Sequence, residues 1–235
     1  MNHEKNEALR LLAESPLCRG IAPEIVAALA QNATLVERAR GEELYSDGAP
    51  AAALFLVSRG VVKLLQALDT GRDVIIELAG RGDLIAEAAL TEQETYATRA
   101  VCVHPTTALA IPRADALAFV ADNPAAVRNV VALLHACIRR ARQRVEDMAV
   151  FGVRQRIARF LVRLADWTGR QEAAGVVVPV ALSRQELAAL TGTTVETAIR
   201  VMSALRREGL VEPARRGIVL RDRAELEQLA MGAAA

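Results

Sequence analysis

Glu196 and Arg200, four residues apart, share one face of any helix that contains both. At the start of a helix laid in the major groove, such a pair can address one G·C base pair. The carboxylate accepts from cytosine N4, and the guanidinium donates two bonds to guanine O6 and N7. Val195 and Ile199 lie beside them and offer apolar contact to thymine methyls. The expected chemistry is base-edge readout by Val195, Glu196, Ile199 and Arg200. A plainer role for Glu196, capping the helix start, is compatible with it.

Positioning those side chains requires two helices and a tight turn, and residues 183–210 (SRQELAALTGTTVETAIRVMSALRREGL) carry the pattern. Ser183 with Glu186, and Thr193 with Glu196, match the S/T-x-x-E capping box that satisfies amide donors at a helix start. Gly192 between them supplies the permissive backbone of the turn. Ala198, Val201, Met202 and Leu205 recur at i, i+3, i+4 and i+7, so they should pack inward. The reading is a helix-turn-helix whose second helix enters a groove. Arg184, Thr194, Ser203, Arg206, Arg207, Arg215 and Arg216 are candidates for phosphate contacts, which set affinity and salt dependence rather than sequence. Arg215 and Arg216 would sit at the tip of a two-stranded wing formed by residues 209–220.

Charge is distributed to match. Residues 1–151 carry 16 Lys+Arg against 19 Asp+Glu, whereas residues 152–235 carry 13 Arg against 9 Asp+Glu. A basic C-terminal part suits a phosphate partner, although an uneven surface alone can give such a split. Hydrophobic residues make up 52% of the chain, which guarantees a sizeable core, and no apolar run is long enough for a membrane span. The N-terminus lacks the basic-then-apolar layout of a signal peptide, so a cytoplasmic location is expected. Cys18, Cys102 and Cys137 are odd in number and widely spaced, against a disulfide framework. No P-loop, G-x-S-x-G or H-E-x-x-H motif is present, which argues against an enzyme.

Residues 1–34 read as helical. Between residues 35 and 111, short β-rich runs (LFLVS, VVKLLQ, DVIIELA, ATRAVCV, TALAIP) alternate with turn glycines, the pattern of a small antiparallel roll or barrel. A long helix should start after Asp122-Asn123-Pro124. Along it Val127, Val131, Leu134, Ile138, Ala141, Val145 and Met148 step by alternating fours and threes, a heptad seam suited to a dimer. A helix packed on its own domain also produces an apolar stripe. Phe151-Gly152 marks a hinge, followed by a helix over 153–168.

The segments GEELYSDGAPAAALFLVSRGVVKLL, GRGDLIAEAAL, ALAIPRADALAFVADNP and SRQELAALTGTTVETAIRVMSALRREGLV, in this order, resemble the CRP/FNR family of transcription regulators over nearly the whole chain. The resemblance implies an α+β fold. Residues 1–122 would form a cyclic-nucleotide-binding-type β-roll with flanking helices, 123–151 a dimerisation helix, and 152–235 a winged helix-turn-helix. It also implies double-stranded DNA, a second copy of the chain and RNA polymerase as partners, with no membrane partner. The pattern TVET-x-x-R is similar to the subgroup that reads TTGAT…ATCAA-like palindromes, with Ile199 standing where that subgroup has Ser.

By the same resemblance an effector pocket would include Ala86, Glu87, Ala88, Thr95 and Thr98. Cyclic-AMP-binding members look like G-E-L-[AG]-L followed by R-[ST]-A. Here Glu87 is kept, Ala86 replaces the glycine, and the Arg-Ser pair falls near Glu94-Thr95, so a cyclic phosphate would meet a carboxylate. Loss of that charged pair disfavours cyclic AMP. An iron–sulfur cluster is disfavoured because only Cys18 stands near the N-terminus. Ala86-Glu87-Ala88 resembles the nitric-oxide-responsive regulators of dissimilatory nitrate respiration, which implies haem b as an open option. Its axial ligand would come from His3, His104, His135, Cys102 or Met148, each of which packing or surface exposure can also explain. A ligand-binding module without a DNA function is the competing class.

Overall fold

Residues 54–57, Leu-Phe-Leu-Val, form a continuous apolar run because their strand is covered on both faces. Leu54 and Leu56 turn towards flanking helices, while Phe55 and Val57 turn into the interior of a β-roll. The computed structural model describes residues 2–68, 73–215 and 217–232, with side chains from residue 4 onward. Two compact units account for it, residues 1–140 and 141–235.

The first unit begins with α1 (Asn2–Glu14) and α2 (Pro23–Asn32). The roll follows as β1 (Thr34–Arg38), β2 (Glu43–Tyr45), β3 (Ala53–Arg59), β4 (Val62–Ala67), β5 (Asp73–Ala79), β6 (Leu84–Ile85), β7 (Arg99–Cys102) and β8 (Thr106–Pro112). Its two antiparallel sheets have the orders β1-β8-β3-β6 and β2-β7-β4-β5. Helix α3 (Arg113–Asp122) leads to α4 (Pro124–Val150), which starts at the expected Asn-Pro signal. Two cores result. One lies between α1, α2, α3 and the outer faces of β3 and β8, and the other fills the roll around Tyr45, Phe55, Val62, Leu64 and Tyr96.

Helix α4 passes from the first unit into the second at residue 141. Its heptad residues Val127, Val131, Leu134, Ile138, Val145 and Met148 are exposed, Val131 at 60% and Val145 at 69%, and Ala141 is half-buried. No single helix among the described residues is long and apolar enough to cross a membrane.

The second unit continues with α5 (Val153–Thr168), β9 (Arg170–Glu172), β10 (Gly175–Val178), α6 (Arg184–Leu190), α7 (Val195–Arg207), β11 (Val211–Ala214), β12 (Gly217–Leu220) and α8 (Arg223–Met231). Its core joins Ile157, Leu161 and Leu164 of α5 to Leu205, Leu220 and Leu226. The wing differs from expectation. β11 and β12 belong to a four-stranded sheet, β11-β12-β10-β9, because Val176–Val178 pairs with β12 and closes what would be an open hairpin edge.

Between β3 and β4 the chain turns at Gly60, whose φ is +95°. A Cβ there would fall 2.5 Å from Thr106 Oγ1 and 2.6 Å from the Pro105 carbonyl. Gly60→Ala should therefore destabilise the roll by about 2–3 kcal/mol, read as a lowered urea midpoint with an unchanged slope.

Candidate nucleic-acid interface and ligand cavity

Helix α6 starts as its sequence requires. The Glu186 amide donates to Ser183 Oγ at 3.1 Å, and the Ser183 amide donates to the Glu186 carboxylate at 2.8 Å. Helix α7 starts one residue later than expected. Thr194, not Thr193, is the cap, its Oγ1 accepting from the Thr197 amide at 3.2 Å. Thr193 instead belongs to the turn, where its amide donates to the Ala188 carbonyl. Glu196 thus lies two residues from the cap rather than three. Its carboxyl is held below the ordinary carboxylate range by its own amide first and by the Thr194 hydroxyl second. At the turn, Gly192 takes φ +61°, and a Cβ on it would lie 3.0 Å from the Met148 methyl. Met148 therefore packs against the turn of its own chain as well as being half-exposed on α4.

Ala198 and Leu205 are buried, and Val201 and Met202 are half-buried. On the opposite face Glu196 and Arg200 are exposed, with Val195 and Ile199 half-buried beside them. Thr194 and Ser203 are exposed too. At the far end of α7, Arg154 donates to Glu208 at 2.7 Å, which fixes the helix to α5.

The arginines of this unit fall into two groups. Arg154, Arg156, Arg159, Arg221 and Arg223 bond to carboxylates or carbonyls within it. Arg184, Arg200, Arg206, Arg207 and Arg215 are exposed and form no ion pair among the described residues. That second group lies on α6, on α7 and at the turn between β11 and β12. Arg216 lies outside the described residues.

In the roll, a cavity of about 420 Å³ is lined by residues that include Tyr45, Glu87, Glu92, Tyr96 and Thr98. Ala86 and Ala88 also line it, but Thr95 does not. Thr95 is exposed and bridges to Pro50, so its strand-like pairing turns it away. Ala86 has φ 67°, making it the sole non-glycine in the left-handed region among the described residues. Tyr45 stacks on Phe55 and Tyr96, with ring centres 5.7 and 4.2 Å away, and its hydroxyl lies 3.3 Å from Thr98 Oγ1. Burial pushes the Tyr45 hydroxyl up to about 12.

Among the described residues, no lysine or arginine lines this cavity. Arg99 pairs with Glu43 and Asp73 instead. Arg113, which the sequence reading passed over, donates to the carbonyls of Thr91 at 2.6 Å and Gln93, and so braces the cavity loop through its backbone. The single hint to it was an arginine directly after the strand that ends at Pro112.

The family-model matches follow this division: a cyclic nucleotide-binding domain over residues 35–123 and a Crp-like helix-turn-helix domain over residues 155–229. The chain is 33% identical over 220 residues to the cyclic AMP receptor protein of Thermus thermophilus, covering 94% of this chain and 99% of that one. The chain belongs to the CRP/FNR family of transcription regulators. The nitrogen fixation regulation protein FixK of Azorhizobium caulinodans is 29% identical, over 92% of this regulator and 88% of the relative. A CRP-family transcriptional regulator from Thermus thermophilus superposes with a TM-score of 0.70 at 30% identity, covering 85% of this regulator and 97% of that structure. The regulator is thus a DNA-binding protein with a cyclic-nucleotide-binding-type domain, and its domains are those of transcription regulators rather than enzymes.

None of the cavity-lining residues is His, Cys or Met, so a haem inside it would find no imidazole, thiolate or thioether ligand. His104 is half-buried at a strand end with its ring nitrogen 3.0 Å from the Pro105 carbonyl, and His135 is exposed on α4. Cys102 is buried in β7, where desolvation raises its thiol. The side chain of His3 lies outside the described residues. The residues present do not fit haem in this cavity.

The Thr194 cap makes a direct expectation. Thr194→Ala should cost about 1 kcal/mol of stability, seen as a lower urea midpoint, while Thr193→Ala should leave the start of α7 intact.

Proposed function

We propose that the regulator acts as a homodimer on a TTG-containing palindrome, reading it through Val195, Glu196, Ile199 and Arg200. The observation that carries this reading is the segregation of arginines. Those that hold the unit together are paired, and those on α6, α7 and the wing tip present their charge to solvent. Arg184, Arg207, Arg215 and Arg216, with Thr194 and Ser203, would take phosphates. Arg200 and Glu196 would take the G·C pair. The exposed seam from Val127 to Met148 supports the dimer, because so long an apolar stripe on one helix face is costly to leave in water. Two heads related by symmetry would then read two half-sites, and the dimer would act on RNA polymerase at the promoter.

For the effector, the cavity favours a ligand without a phosphate. It keeps Glu87, adds Glu92, and offers no cation to a cyclic phosphate among the described residues. Cyclic AMP is therefore a poor ligand, and the nitric-oxide-responsive subtype, if it used haem b, would need a site elsewhere. An effector-free regulator is the second reading, supported by the left-handed Ala86 that replaces the phosphate-approaching glycine.

Fluorescence anisotropy on a TTGAT…ATCAA duplex and a scrambled one tests the base contacts. Arg200→Ala should cost about 1–3 kcal/mol on the palindrome and little on the scrambled duplex. Arg215→Ala should weaken both alike and reduce the salt slope by about 1. Equal losses on both duplexes for Arg200→Ala would overturn the assignment. For assembly, light scattering should give a dimer for the native chain and a monomer for Ile138→Asp. A monomeric native chain would refute the homodimer.

A further inference from the structure

Leaving aside its chain neighbours, the three atoms that a Cβ on Gly192 would meet first all belong to Met148: Cε at 3.0 Å, Sδ at 3.4 Å and Cγ at 3.5 Å. The Met148 side chain therefore lies along the turn between α6 and α7, although the residue is 53% exposed. The polar groups of the turn are held separately. Its Thr191 and Gly192 carbonyls accept from Arg156 at 2.8 and 3.0 Å. Met148 also lines a cavity of about 350 Å³ together with Phe160, Leu190 and Thr191. No dense packing stands behind the thioether there, so the turn leans on one flexible side chain.

The pose of α7 depends on that turn. Thr194, two residues beyond Gly192, caps the helix, and the reading positions Val195 to Arg200 follow at once. The first buried residue of α7 is Ala198, whose methyl group gives the core little to grip, and the next is Leu205. The start of α7 is therefore set by the turn more than by the core. A bidentate bond from Arg200 to guanine is directional and tolerates little misplacement, whereas contacts to phosphate carry no sequence information.

We propose that Met148 is a positioning residue for base reading: its thioether props the α6–α7 turn from within the same chain and so sets the pitch of Glu196 and Arg200. The proposal rests on the base-reading assignment and not on the homodimer, because the contact is made inside one chain. The last heptad position of α4 thus serves the reading head. Truncating it leaves the turn on its arginine bonds alone, and a leucine, close to methionine in volume, fills the same place.

Hydrogen exchange on the full-length protein, free of DNA, reads the turn directly. Two amides report on it: Thr193, which donates to the Ala188 carbonyl at 3.0 Å, and Thr197, which donates to Thr194 Oγ1 at 3.2 Å. In Met148→Ala both should exchange about tenfold faster while the amides of α5 keep their rates, and Met148→Leu should restore them. By anisotropy, Met148→Ala should lose about fivefold on the TTGAT…ATCAA duplex and little on the scrambled one. The same loss should appear on a half-site duplex in the Ile138→Asp background. Gly192→Ala crowds the thioether and should weaken palindrome binding, part of which Met148→Ala should restore. Unchanged exchange in Met148→Ala overturns the proposal. So does an equal loss on the two duplexes while Arg200→Ala still discriminates between them. A loss that vanishes in the Ile138→Asp background overturns it too, and would give Met148 to the seam alone. Faster exchange in Met148→Ala, with Arg200→Ala losing equally on both duplexes, would keep Met148 as the prop of the turn and refute the base-reading assignment instead.

Discussion

The carbonyls of Thr191 and Gly192 end α6 without helical partners, and one guanidinium, that of Arg156 in α5, bonds both together with the Phe151 carbonyl at the end of α4. Unpaired carbonyls at a helix C-terminus must find donors, and a cation there also opposes the negative end of the helix dipole. The reading geometry follows from this bond set. With the turn fixed, Gly192 can take its left-handed conformation, Thr194 can cap α7, and Ala198 and Leu205 can bury themselves. What faces solvent on α7 is the remainder of a helix whose start, inward face and end, at Arg154–Glu208, are all anchored.

The roll depends on a related economy of charge. Arg99 pairs with the strand carboxylates Glu43 and Asp73, and Arg113 holds the carbonyls of the loop that lines the cavity. The loop is therefore braced by one cation, Arg113, which is not among the residues lining the cavity. Glu87 and Glu92 then give the interior an acidic character unlike that needed for a phosphate. Tyr45 and Tyr96 line it, with Phe55 stacked behind Tyr45, although aromatics are only 3% of the chain.

Much of this could be read from the sequence where the signal was local. The Ser183–Glu186 box, the inward stripe of α7, the Pro124 helix start and the long β-runs each depend on neighbours within a few residues. The start of α7 was missed by one residue because Thr193 and Thr194 are both good caps, and the choice lies in the Thr193 amide reaching back to Ala188. The fourfold wing sheet was missed because β9 has three residues and exposed side chains, with no alternation to detect. Thr95 was misplaced by family register, since its bridge to Pro50 joins positions 45 residues apart. Arg113 and Arg156 had no motif at all. A side chain that bonds backbone carbonyls far along the chain imposes no residue type on its partners.

The strand orders carry a consequence for biosynthesis. In the sheets β1-β8-β3-β6, β2-β7-β4-β5 and β11-β12-β10-β9, the strand made last is in every case an inner one. A ribosome therefore emits three strands of each sheet before the inner strand that joins them, so no sheet can complete its ladder while its last strand is still in the exit tunnel. Thr34 must wait for Ala110 and Val176 for Leu220 before their pairs can form. Such late, non-local pairing slows folding and leaves edges open to wrong partners in the interval. In the roll β7 and then β8 complete the two sheets, and in the second unit β12 completes the one, so each ladder closes only when its last-made strand arrives.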